Sequence, residues 1–111
     1  MSEAQFLVDA CHTPSTPSGQ KFRIRLTDST EIAWAEAVIR GTSGRFVLGR
    51  LAHGDGGFNA PWHWHLKPDS TYLVEAAIEL CDACPTAVEA GGLFQLGSFC
   101  PVTSRVVRRE W

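Results

Sequence analysis

The sequence predicts an α+β domain: a single antiparallel sheet of four to five strands with two helices on one face, for which a ferredoxin-like arrangement is a natural relative. Three observations predict it. Apolar and polar residues alternate in several short runs, two stretches open with a helix-capping pattern, and the order reads strand, helix, strand, strand, strand, helix, strand. The 111 residues suit one domain. They divide into a flexible N-terminal lead-in, 1–20, and a single α+β domain, 21–111.

The lead-in is read from Thr13-Pro14-Ser15-Thr16-Pro17-Ser18-Gly19, a run of turn formers that favours an extended or mobile chain and holds Cys11 and His12 beside it. From Lys21 to Leu26, Phe22, Ile24 and Leu26 share one face and Lys21, Arg23 and Arg25 the other, as in a half-buried strand. Asp28 then offers an N-cap acceptor with Glu31 three residues on. Ile32, Ala35 and Ile39 follow at helical spacing, Trp34 and Val38 widen the stripe, and Gly41 suits the C′ position, so a helix is expected over 29–40. Arg45 to His53 reads as a strand, followed by Gly54-Asp55-Gly56-Gly57, an Asp-Gly turn without the Gly-Lys-Ser/Thr of a phosphate loop. Pro61-Trp62-His63-Trp64-His65-Leu66 reads as the next strand and ends at the turn Lys67-Pro68-Asp69-Ser70. Tyr72, Val74, Ala76, Ile78 and Leu80 then alternate with Glu75 and Glu79, with Leu73 off-phase. Thr86 and Glu89 form a second capping pattern closed by Gly91-Gly92, and Cys100 to Arg109, with Val102, Val106 and Val107, is the last strand.

The chemistry concentrates on the Trp-His run. Successive side chains of a strand point to opposite faces, which sets Trp62 and Trp64 on one side and His63 and His65 on the other. Two imidazoles so spaced can share a zinc or copper ion if a third and fourth ligand arrive, and His53, Glu75, Glu79 and Asp55 are the candidates. The plainer reading is two ordinary strand histidines, one bonded to Asn59 or Asp69 and the other solvated. The tryptophans can stack a ligand, although in a small core they more often pack.

The remaining motifs exclude more than they assign. Cys81-x-x-Cys84 lies at a strand-to-helix junction, where a redox dithiol would, but Asp82 between the thiols opposes thiolate formation and no second pair makes a zinc knuckle. The four cysteines, Cys11, Cys81, Cys84 and Cys100, allow three full pairings. No Gly-x-Ser-x-Gly elbow exists, and Glu75 and Glu79 are too far apart along a strand to act as an acid–base pair. A net charge of −2 exerts no broad pull on nucleic acid, and Arg105, Arg108 and Arg109 beside Glu110 read as a solvated strand end. No run approaches the roughly 18 apolar residues of a membrane helix. The N-terminus lacks a signal peptide's basic and apolar regions, so the chain is expected to be soluble, either intracellular or a mature secreted form.

From Phe22 to Val107 a set of motifs recurs together: Leu26-Thr27-Asp28; Asn59 with Trp62, Trp64, His65, Leu66, Pro68, Asp69 and Ser70; Glu79, Cys81, Asp82, Pro85, Val88 and Glu89; and Cys100-Pro101. In these the chain resembles the calmodulin-binding protein N-terminal-like domain family. The resemblance implies a disulfide between Cys81 and Cys100, worth roughly 3 kcal/mol for a loop of about 20 residues. Cys11 and Cys84, outside the shared pattern, would then form a second bridge, and His63 is a further individual departure. No general catalytic activity comes with the resemblance. Calmodulin binding is not carried over, because a target helix is basic and residues 29–40 hold Glu31 and Glu36 against the single Arg40.

The expectation is a small non-catalytic binding domain. It would recognise a protein or a small ligand through the 54–60 loop and the adjoining histidine face, with Asn59, Trp62, Trp64, His63 and His65 as contacts and Lys21, Arg23 and Arg50 lending positive charge. The alternatives are a metal-binding protein or small metalloenzyme using His63 and His65 with His53 or Glu79, and a thiol redox protein using Cys81 and Cys84.

Overall fold

The structure is a computed structural model, and it describes residues 3–11, 19–77 and 80–111. It is α+β, with seven strands among the described residues: β1 (Ala4–Ala10), β2 (Gln20–Leu26), β3 (Phe46–His53), β4 (Trp64–Leu66), β5 (Tyr72–Val74), β6 (Ser98–Phe99) and β7 (Arg105–Arg109). Helix α1 (Ser29–Arg40) follows β2, and the short helix α2 (Pro85–Glu89) precedes β6. The strands do not join in one sheet. They divide into a three-stranded sheet ordered β2-β1-β7 and a four-stranded sheet in which β4, β5 and β6 all pair with β3. Every pairing is antiparallel, so the parallel central pair of a ferredoxin-like sheet is not formed among the described residues.

The lead-in needs the largest correction. Residues 4–10 form β1, the middle strand of the first sheet, with Phe6 opposite Ile24 and Val8 opposite Phe22. Ala4, Phe6, Val8 and Ala10 are fully buried on one face, and Leu7 and Asp9 are buried on the other. A strand paired along both edges and covered on both faces is about as constrained as a chain can be. The Ser/Pro-rich residues 12–18, on which that reading rested, lie outside the described residues.

The fifth strand is also shorter than its alternation suggests. Among its described residues only Tyr72–Val74 pairs with β3, and in the opposite phase: Leu73 is buried while Tyr72 is exposed. Leu80 is 87% exposed, and Ile78 and Glu79 lie outside the described residues.

Helix α1 has the predicted bounds. The Asp28 carboxylate accepts the Thr30 N–H at 2.7 Å, and Gly41 takes the left-handed conformation (φ 82°) that a side chain resists. Ile32, Ala35 and Val38 face the core. Trp34 does not; the Arg45 guanidinium covers its ring at 3.8 Å.

The two sheets meet on an aromatic triangle. Phe22 of β2 lies 5.4 Å from Trp64 of β4 and 5.6 Å from Phe99 of β6, and those two are 5.5 Å apart, all at tilted or edge-on angles. Trp64 is fully buried there, so truncating it to alanine costs about 3–5 kcal/mol. Two disulfides close the fold: Cys81–Cys100, within a small cluster with Phe46, and Cys11–Cys84, which ties the end of β1 to the start of α2. This is the pairing that the resemblance implies. Because Cys81 and Cys84 belong to different bridges, they are not a dithiol pair, and the redox reading is corrected.

Candidate functional site

The glycine loop begins where β3 ends at His53 and returns to the sheet at Trp64. The Asp55 carboxylate accepts the Gly57 N–H at 2.8 Å, and the Asp55 carbonyl accepts the N–H of Phe58 and of Asn59. Gly54, Gly56 and Gly57 all have positive φ, which is why this turn is built from glycine. Its tip is exposed, but its base is not: Phe58 and Asn59 are buried.

Asn59 is a clamp. Its Oδ1 accepts the Arg23 N–H at 2.7 Å and its Nδ2 donates to the Trp64 carbonyl at 2.8 Å, joining β2 to β4. At 1% exposure it touches no solvent-borne ligand, and neither does Trp64. Losing the amide would strand two buried backbone groups, a penalty of about 1–3 kcal/mol each. Trp62 is half-buried and pinned, its indole N–H donating to the Lys21 carbonyl at 2.8 Å. These members of the expected contact set are scaffold.

The histidines separate. Strand β4 begins only at Trp64, so residues 61–63 lie in a turn and the strand alternation does not reach His63. His65 sits beneath the glycine loop: its Nδ1–H donates to the Gly54 carbonyl at 2.7 Å, and the Phe58 ring meets it edge-on. A Cβ at residue 56 would lie 2.6 Å from the imidazole, so the bare Gly56 backbone rests on that ring. His53 stacks on Phe94, with centroids 4.0 Å apart and planes 5° from parallel. His63 turns to α2, where the Glu89 carboxylate accepts its backbone N–H at 2.8 Å and its Nδ1–H at 2.5 Å. Each of these three imidazoles thus has its own protein partner. Among the described residues no group of three or more His, Cys, Asp or Glu is gathered as metal ligands would be; Glu79 lies outside them.

Glu89 was expected to close a capping box with Thr86. It does not, because Pro85 occupies the first turn and moves the cap back to Cys84. The Thr86 N–H is met instead by Gln20 of β2 at 3.1 Å, and Glu89 is released to bind His63. Those bonds, first the backbone N–H and then the ring, hold the Glu89 carboxyl below the usual range, against a small opposing effect of burial. Glu31, the acid of the other capping pattern, likewise crosses the fold to accept the Leu73 N–H at 2.8 Å. Local spacing could not reveal either role.

The positive charge expected at this face is largely used elsewhere. Arg23 binds Glu110 at 2.7 Å and Lys21 lies 3.9 Å from Asp9, while Arg50 is exposed. What remains open at the loop is its glycine tip and His63, whose side chain is 85% exposed.

No curated protein and no solved structure matches the chain. A family model, described as the BP-74 N-terminal domain, matches residues 3–110, a span consistent with the resemblance to a calmodulin-binding-protein N-terminal-like domain. That span takes in β1, both disulfides, the Asn59 clamp and the Glu89 carboxylate, so the chain belongs to the BP-74 N-terminal domain family.

Proposed function

We propose that this chain is a non-catalytic binding domain that recognises a protein or small ligand through the 54–60 loop and the adjoining His63. One observation carries the reading: His63 is almost fully exposed, yet two bonds to Glu89 fix its orientation. A ring whose Nδ1 is engaged inward presents Nε2 outward, and holding it in place beforehand reduces the ordering cost of binding. The loop beside it has the same character, an exposed tip on a buried Phe58–Asn59 base. Two disulfides suit an oxidising compartment, so the proposed setting is extracellular or periplasmic. No helix among the described residues is long and apolar enough to cross a membrane.

The test is site-directed photocrosslinking in the protein's native surroundings. A photoreactive residue in place of Ala60 should give a discrete adduct that His63→Ala abolishes, while the same residue at Thr103 gives none. Equal adduct yields from both positions, or yields indifferent to His63, would overturn the reading.

A further inference from the structure

Helix α1 and strand β7 leave between them an open groove of about 370 Å³, lined by Glu36, Ile39 and Arg40 from the helix and by Val107, Arg108 and Arg109 from the strand. On both elements an aliphatic residue precedes an arginine, so the floor is apolar and the rim cationic. A bulge supplies half of that floor. Leu7 pairs with Arg108 and Val8 with Val106, which leaves Val107 unpaired. Val106 enters the core and Val107 is turned out, 36% exposed. Strand β7 is the last of its sheet, and no strand among the described residues pairs with its far edge.

The charges at the rim are unevenly spent. Arg109 binds Glu36 at 2.6 Å. Arg108 only grazes Glu110, at 3.4 Å, and is mostly exposed. The side chain of Arg40, the last residue of α1, makes no ion pair or hydrogen bond among the described residues. In a chain of net charge −2, three guanidiniums against one carboxylate in a single groove is a local reversal of sign. Arginines on an edge strand also discourage edge-to-edge aggregation. That role needs neither an apolar floor nor a third arginine contributed by the helix.

We propose that this groove docks an extended acidic segment of a partner protein, its carboxylates on Arg40 and Arg108 and one aliphatic or aromatic side chain between Ile39 and Val107. A groove between a helix and an edge strand suits an extended peptide, which presents alternate side chains to the groove. The groove is lined by side chains of α1 and β7, and these carry most of the binding. Exposed ion pairs are individually weak and screened by salt, and the complex is accordingly salt-sensitive.

The test is fluorescence anisotropy with the intact, disulfide-bonded chain and a labelled peptide in which one leucine is flanked by two acidic residues on each side. Arg40→Glu and Arg108→Glu should each weaken binding at least about fivefold and flatten its salt dependence. Val107→Ser should weaken it with the salt dependence unchanged. Glu36→Gln frees Arg109 and should tighten binding, a gain that misfolding cannot mimic. The proposal fails if Arg40→Glu binds as well as the parent or if Glu36→Gln does not tighten binding. It also fails if phosphatidylserine vesicles, inorganic phosphate or a single-stranded oligonucleotide displace the peptide at equal concentration.

Discussion

The Glu89 carboxylate holds the backbone N–H of His63 at 2.8 Å and its ring Nδ1 at 2.5 Å, tying α2 to the turn that leads into β4. The backbone bond would form with any residue at position 63. The ring bond is particular to histidine. Glu89→Ala should therefore speed amide exchange at residue 63 and lower the melting temperature, whereas His63→Ala leaves the backbone bond and should disturb both less. Equal effects would show that the ring bond alone matters.

Acid should loosen the fold through two carboxylates. Glu89 is held below its usual range by His63. At Glu110 burial acts upward, but bonds from Arg23, Gln5 and Arg108 and the charge of Arg23 outweigh it, and the net shift is also downward. A carboxyl whose folded pKa is depressed adds stability above its unfolded value and loses it as pH falls through the folded one. Melting temperature is thus expected to fall as pH drops below about 4. Glu110→Gln should reduce that slope while lowering stability at neutral pH.

Gly56 and Gly57 separate two costs. Both have positive φ, so alanine at either is strained by about 1–3 kcal/mol. Only at Gly56 would the new Cβ also strike a neighbour, the His65 imidazole at 2.6 Å; around Gly57 nothing lies within 4 Å. Denaturant titration should find Gly56→Ala the more destabilising of the pair, and His65→Ala in the same chain should recover part of the difference.

The two bridges close loops of different length, 73 residues for Cys11–Cys84 and 19 for Cys81–Cys100. In the chain-entropy account their removal costs about 4 and about 3 kcal/mol respectively. The double replacement Cys11→Ser with Cys84→Ser should therefore be the more destabilising one in a denaturant titration. Mass spectrometry without reductant should detect no free thiol in the parent chain.

What was legible in the sequence is what a few neighbouring residues encode. Asp28, the Ile32–Ala35–Val38 stripe and Gly41 specify α1, because capping and helical periodicity are decided within about four residues. Phe22, Ile24 and Leu26 specify the buried face of β2 in the same way. Local signals also misled. Alternation continued past Val74 after pairing had stopped, and the Ser/Pro-rich run after Cys11 masked a strand whose evidence lies in its partners on either side.

The candidate site depended on distance in space rather than in sequence. His63, His65 and His53 are close along the chain or across one ladder, but their partners come from α2, the glycine loop and the turn at Phe94. Glu31 and Glu89 read as capping acids and instead satisfy the backbone N–H groups of Leu73 and His63. By itself the sequence determined the α+β class, the principal helix and the apolar faces, all set by local periodicity. Only the tertiary structure decided the division into two sheets, the central place of β1 and the separation of the histidines. Those outcomes follow from which unpaired backbone groups and apolar surfaces come together when the chain closes, and no short window of sequence holds that information.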